Sequence, residues 1–403
     1  MAWDPEFRPQ LRALEAIRVP PEHGCGVALR DPSGLSKTVL TLSDGAVALV
    51  TLMDGAHTCA RIREELSALF GEPVPADTIQ QMLDHLERAR FLDGPSFEAH
   101  YASLVAEYRS QPVRRTPPGS ALEILHDSEA LFDEILAETK PVDIAGSVLG
   151  LIAPHLDYPR GHRCYGRAYA ALRGRAAPDR VVILGTNHYG RSASVVSTGR
   201  DFRTPLGITR VDREFLDELE ARCGDLCEHE LDHAREHSIE LELAWLQHLF
   251  GSDRFLLVPF LCPDPCGPTG TAPYDGDGVD LRDFARALGD LIAEDATDTL
   301  IVAGADLSHV GAAFGDERPL DAAFLAEVER QDRRALEYVV AADADGWARN
   351  IAESGNPTRI CGTGCIFVLM AAVPDASGTL LEYDQAVDQA TQTGVTCAAA
   401  ALA

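Results

Sequence analysis

Histidine, cysteine and acidic residues placed just after apolar runs are the chemically informative feature of this 403-residue chain. LGLIAPH delivers His155, VVILGTNH delivers His188, and TLIVAGADLSH delivers Asp306 and His309. Each follows a stretch apolar enough to be a buried strand. In open α/β sheets the carboxyl ends of strands line one crevice, so residues distant in sequence converge there. One such histidine is more often a packed or surface residue. Three, with an acid, form a donor set suited to a borderline transition metal.

Two further segments add to the set. In AREHSIELELAWLQHLF, His237 and Glu240 are three residues apart, which predicts one helical face carrying acid/base capacity beside the ligands. The bland alternative is that both merely cap and solvate a helix start. In ICGTGCIFVLM, two glycines between Cys361 and Cys365 predict a tight turn at a helix N-terminus, where the dipole lowers a thiol's pKa. One of these cysteines is therefore expected to be partly thiolate, with Cys365 better suited to core packing. Sulfur beside two imidazoles favours copper, zinc or iron over magnesium or calcium.

Cys223, Cys227, His229, His233 and His237 are also close in sequence, as structural zinc ligands are, but the residues between them are acidic and exposed in character. Three pairs share a C-x3-C spacing, Cys223/Cys227, Cys262/Cys266 and Cys361/Cys365, and none is the C-x2-C of a zinc knuckle. Tyr158, Tyr165 and Tyr189 lie near the motifs and could orient a substrate, although a satisfied structural hydroxyl is the commoner role.

The elements that must position these residues read as an α/β fold. Strands are predicted over Ser147 to Ala153, Arg180 to Leu184, Phe255 to Phe260, Thr299 to Gly304, Thr379 to Tyr383 and Gly394 to Ala400. Helices are predicted over Tyr165 to Gly174, Asp212 to Cys223, Ser238 to Phe250, Leu281 to Glu294, Asp321 to Ala341 and Gly362 to Ala372. That alternation implies a central, mostly parallel sheet covered by helices. Before it, a hairpin region and helices at about Asp44 to Met53, from Thr58, and from Pro75 to Ala89 predict a small winged-helix-like α+β domain. Its core would take Ile62, Leu66, Leu69, Ile79, Leu83 and Leu86. The domains are read as residues 1–96, a helical connector at 97–142 containing the breaker-rich QPVRRTPPGS, and 143–403. Pro263 to Asp280, dense in Pro, Gly and Asp, is a loop.

With 46% apolar residues the chain can bury a large core, and ten cysteines are too few for a disulfide scaffold. The net charge of -28, spread along the chain, opposes phosphate-backbone binding and makes nucleic acid an unlikely partner. No run approaches membrane-spanning length, and Met1 to Gln10 has neither a basic nor an apolar leader region, so a cytoplasmic location without membrane association is expected.

APHLDY around His155, ILGTNH around His188, REHSIELEL around His237, ADLSH around Asp306 and His309, and ICG at Cys361 occur in that order. They resemble the signature segments of Memo-like proteins, whose bacterial members are called AmmeMemoRadiSam system protein B. The resemblance runs from about Val148 through the final GVTCAAAAL. It implies a fold like the class III extradiol dioxygenases. It also implies one transition-metal ion, copper or iron with zinc possible, held by His155, His188 and Cys361. Asp306 and His309 would then orient a bound water or substrate, with His237 and Glu240 in support. The thiol of Cys361 replaces the carboxylate ligand of ring-cleaving dioxygenases, which argues against ring cleavage. RRTPPGSALEIL stands where family members carry a His-Ala-Gly segment. Leu40 to Leu92 resembles the PqqD-like domains that hold leader peptides, with a dimerisation or docking module as the alternative. These resemblances lead to the expectation of a metal-dependent oxidoreductase acting on a small molecule or peptide side chain, with a radical SAM enzyme and an AMMECR1-like protein as partners. The alternative is a non-catalytic peptide-binding scaffold that keeps the same cleft.

Overall fold

The computed structural model describes residues 3–19, 26–117, 122, 128–264 and 270–403; Cys266 and most of PPGSALEIL lie outside them. The chain forms two units, Met1–Ser110 and Gln111–Ala403.

In the first unit, β1 (Glu15–Arg18), β2 (Val27–Arg30) and β3 (Val39–Leu42) make an antiparallel sheet in that order. Helices follow at Asp44–Val50, Cys59–Phe70, Ala76–Arg88 and Pro95–Ser110. Ser43 and Thr58 begin the first two because their side chains accept the N–H of Ala46 and Arg61. Ile62, Leu66, Ile79, Leu83 and Leu86 share one core with Leu49 and Phe91, as their spacing predicts. Leu69, expected in that core, is instead 66% exposed, although it shares the helical face of Ile62 and Leu66; it lies in the last turn of its helix. The helix Pro95–Ser110 falls within this unit.

In the second unit, β5 (Gly150–Ala153), β6 (Arg180–Thr186), β10 (Leu256–Cys262) and β11 (Thr299–Gly304) run parallel. Consecutive residues of these strands enter opposite cores. Val182, Leu184, Val258, Phe260, Ile301 and Ala303 pack on one face, and Val181, Ile183, Leu257, Leu261, Leu300 and Val302 on the other. That is why they read as unbroken apolar runs. One face is covered by helices Arg213–Cys223, Leu281–Glu294, Ala322–Val340, Ala344–Ser354 and Thr363–Ala372. Ser128–Glu138, Tyr158–Ala170 and Ser238–Phe250 cover the other.

The sheet is mixed, with these four parallel strands at its centre. Its order is β12-β14-β5-β11-β6-β10-β7, with β13 on β14. β7 (Val196–Ser197), β12 (Asp306–Gly311), β13 (Gly378–Asp388) and β14 (Thr393–Leu402) all pair antiparallel, so the four parallel strands are flanked on both sides. A second small sheet joins β4 (Val113–Arg115), β8 (Asp201–Thr204) and β9 (Gly207–Thr209). Among the described residues, no helix is long and apolar enough to cross a membrane.

Candidate metal centre

Each of the four parallel strands is followed, two residues after its last, by a polar side chain. β5 ends at Ala153 and delivers His155; β6 ends at Thr186 and delivers His188; β11 ends at Gly304 and delivers Asp306; β10 ends at Cys262 and delivers Asp264. These offsets place all four at one end of the sheet, where helix N-termini also converge. Asp264 was not anticipated because Pro263 marks a loop start. Its position after FLC repeats the pattern of the other three and was legible in that sense.

Donor atoms of His155, His188 and Cys361 lie within 4.8 Å of one another, a grouping that could hold a metal ion. The Cys361 Sγ is 3.2 Å from His155 Nε2. The His155 and His188 rings stand nearly perpendicular with centroids 4.8 Å apart. Each ring is fixed through its other nitrogen. His155 Nδ1 donates to the Gly304 carbonyl at 2.8 Å, and His188 Nδ1 lies 3.1 Å from both oxygens of Glu236. These contacts assign the hydrogen to Nδ1 and leave Nε2 with its lone pair free on both rings. The chemistry of the donor set, two oriented imidazoles and one sulfur, thus fits a borderline or soft transition ion.

The glycines of ICGTGC act by allowing close approach. A Cβ on Gly362 would fall 2.4 Å from the Ala305 Cβ, and one on Gly364 would fall 2.0 Å from the Pro263 carbonyl oxygen. Any other residue would push the Cys361 turn away from the strand ends.

Glu236 is the carboxylate that organises the second half of the site. Besides His188 Nδ1 it accepts the backbone N–H of His188 at 3.1 Å, of His237 at 2.8 Å and of Ser238 at 3.0 Å. Burial alone would raise its pKa, but His188, His237 and the backbone donors hold it well below the usual range, so it is an anion. A second grouping, His188, Glu236 and His237, follows from this. Glu240 does not take the place assigned to it. Its carboxylate is fully buried against the Arg114 guanidinium, which also donates to the carbonyls of Glu236 and His233. The reason is that His237 is the helix cap and not a helical residue, so the three-residue spacing does not bring the two side chains to one face.

Asp306 accepts the backbone N–H groups of His155 and Leu156 through Oδ1 at 3.1 and 3.3 Å, while its Oδ2 lies 3.6 Å from His155 Nε2. Burial pushes its pKa up to about 7 against the opposing pull of those donors and of His188. Burial, then the charges of His188 and His237, keep His155 neutral well below its ordinary value. Burial also lowers the pKa of His188, but Glu236 outweighs it and the net shift is upward. The expected partial thiolate at Cys361 is not found. Burial, then Asp306 and Asp264, hold the thiol well above its ordinary pKa and outweigh the helix terminus. His309 presents Nδ1 to the Leu307 and Arg359 carbonyls at 3.1 and 3.2 Å and senses the charge of His188.

Exposure rises across the centre. The His155 side chain is 3% exposed, His188 20% and His237 35%, so an approaching molecule enters from the His237 side. Tyr189, 47% exposed, lies beside His188 there. Asp264 is also exposed at this end and accepts from the Thr363 hydroxyl at 2.8 Å. Tyr158 and Tyr165 are buried, their hydroxyls donated to the Leu241 and Leu156 carbonyls. Among the described residues, Cys223, Cys227, His229 and His233 form no group able to hold a metal. His233 is buried with Nε2 on the Val196 carbonyl.

A model of the Memo-like protein family matches residues 126–402. The chain is 26% identical over 369 residues to a MEMO1 family protein of Aquifex aeolicus, covering 90% of this chain and 92% of that one. That span extends into the first unit. It is 28% identical over 332 residues to a MEMO1 family protein of Thermus thermophilus (82% of this chain, 94% of the relative). A MEMO1 family protein of Methanopyrus kandleri is 31% identical over 238 residues (58% and 75%).

Proposed function

The chain belongs to the Memo-like protein family, and from that premise we propose that it holds one copper or iron ion between His155, His188 and Cys361 and uses it to oxidise a small molecule or a peptide side chain. The observation that carries this reading is the orientation of the donors. Both imidazoles have Nδ1 occupied by an acceptor, and the sulfur sits 3.2 Å from the free nitrogen of His155. Such anchoring of ligand rings by carbonyls and carboxylates is what metal sites require. The ion, when bound, would supply a redox couple and Lewis acidity.

The chain's own residues do the rest. Glu236 fixes the tautomer and plane of His188. Asp306, with a pKa near 7, can accept or return a proton at Oδ2 while its Oδ1 stays engaged with the backbone. His237, the most exposed of the three rings around the centre, lines the approach. Zinc would satisfy the same donors without redox chemistry, which makes the identity of the ion decisive.

The test is metal content after anaerobic purification of wild type and of His155→Ala, His188→Ala and Cys361→Ser. One copper or iron per wild-type chain, and substoichiometric metal in all three variants, is expected. Equal occupancy in the four proteins would overturn the proposal.

A further inference from the structure

Asp306 and His309 are three residues apart on β12, and in a regular strand a separation of three puts side chains on opposite faces. Here they are not opposed. β12 advances from Asp306 to His309, three steps, while its partner β14 advances from Cys397 to Val395, two steps. The extra residue is a bulge. Leu307 belongs to the core on the side covered by the helix Ala322–Val340, and Ser308 reaches Asp332 of that helix. Two consecutive side chains therefore face that helix, and Asp306 and His309 both fall on the other side.

The bulge is held by one buried carboxylate. Asp332 is fully buried and accepts three hydroxyls. These come from Ser308 at 2.6 Å, Thr396 at 2.6 Å and Tyr383 at 2.8 Å. Thr396 in turn accepts the Ser308 N–H at 2.8 Å, replacing the ladder bond that the bulge removes. The His309 N–H goes to the Thr358 carbonyl at 2.7 Å. Placing a carboxyl group in a core is costly unless its oxygens are satisfied, and here all three donors bear on the bulge or on the strands beside it.

We propose that Asp332 is a positioning residue for the metal centre: through Ser308 and Thr396 it fixes the β12 bulge that turns Asp306 and His309 onto the face shared with His155. The inference rests on the reading of that face as the functional centre. It has a further consequence for the ligands, because Asp306 holds the His155 backbone and its carbonyl accepts the Gly362 N–H at 3.2 Å, next to Cys361.

The experiment compares wild type, Asp332→Asn, Thr396→Val and Tyr383→Phe as full-length proteins. Imidazole signals are followed by proton–nitrogen correlation spectroscopy without metal, and the cobalt–thiolate absorption after loading with Co(II). Asp332→Asn and Thr396→Val should displace the His309 and His155 ring signals and shift the cobalt band, leaving His57 of the first unit unmoved. Tyr383→Phe removes a donor to Asp332 without touching β12, so it should lower thermal stability and leave these signals in place. Unmoved His309 and His155 signals in Thr396→Val, or equal displacement in Tyr383→Phe, would overturn the proposal. Thr396→Val decides alone if Asp332→Asn does not fold. Failure of wild type to take up cobalt would defeat the metal reading and leave the ring signals to decide the clamp.

Discussion

The Sγ of Cys361 lies 3.2 Å from Nε2 of His155, across 206 residues of sequence. Metal-free, this contact pairs a protonated thiol with a neutral imidazole, since burial raises the pKa of one group and lowers that of the other. Binding an ion must displace the thiol proton. Uptake should therefore release at least one proton per ion. Calorimetric titrations in buffers of different ionisation enthalpy measure this, and whatever uptake Cys361→Ser retains should release fewer protons per ion.

Glu236→Gln keeps the size of the side chain but removes the charge that holds His188 and the cap of the following helix. Loss of such a ring-orienting carboxylate typically costs about 10–100-fold in metal affinity. Competition against a chromophoric chelator should show a loss in this range. Glu240→Gln should act on stability and far less on affinity.

Arg114 and Glu240 form an ion pair with side chains 1% and 0% exposed. Removing one partner of a buried pair strands the other charge and costs about 3–5 kcal/mol. Arg114→Met should show a loss of that size in urea unfolding of the metal-free protein. Combining it with Glu240→Leu should recover part of the loss.

His233 is buried and held neutral, its pKa lowered to about 3 mainly by burial, with the Val196 carbonyl opposing. The unfolded chain binds this proton near pH 6.5 and the folded chain does not, so the stability it confers is complete above 6.5. It is lost as pH falls from 6.5 toward 3, with a slope of up to about 1.4 kcal/mol per pH unit. Unfolding midpoints between pH 7 and 4 should fall more steeply for wild type than for His233→Gln.

The strands that carry His155, His188 and Asp306 were legible because residues buried on both faces of a sheet leave unbroken apolar runs, and the chemistry lies where those runs stop. β12 was not. It starts two residues after β11 ends, with no turn signal between, and its Asp, Ser and His do not look like strand interior. Glu236 was overlooked in favour of Glu240 because helical periodicity was applied from His237, one residue before the helix begins. An acid just ahead of a helix start is itself a signal, since it can accept the first free N–H groups. The antiparallel flanks that make the sheet mixed depend on long-range pairing, which local pattern does not encode.

The most direct test of the centre is X-ray absorption at the edge of the bound metal in the wild-type protein. One sulfur scatterer at about 2.3 Å together with imidazole nitrogens at about 2.0–2.1 Å is expected if the ion is zinc-like in size, with the sulfur lost in Cys361→Ser. A first shell of nitrogen and oxygen alone, unchanged by that substitution, would contradict it.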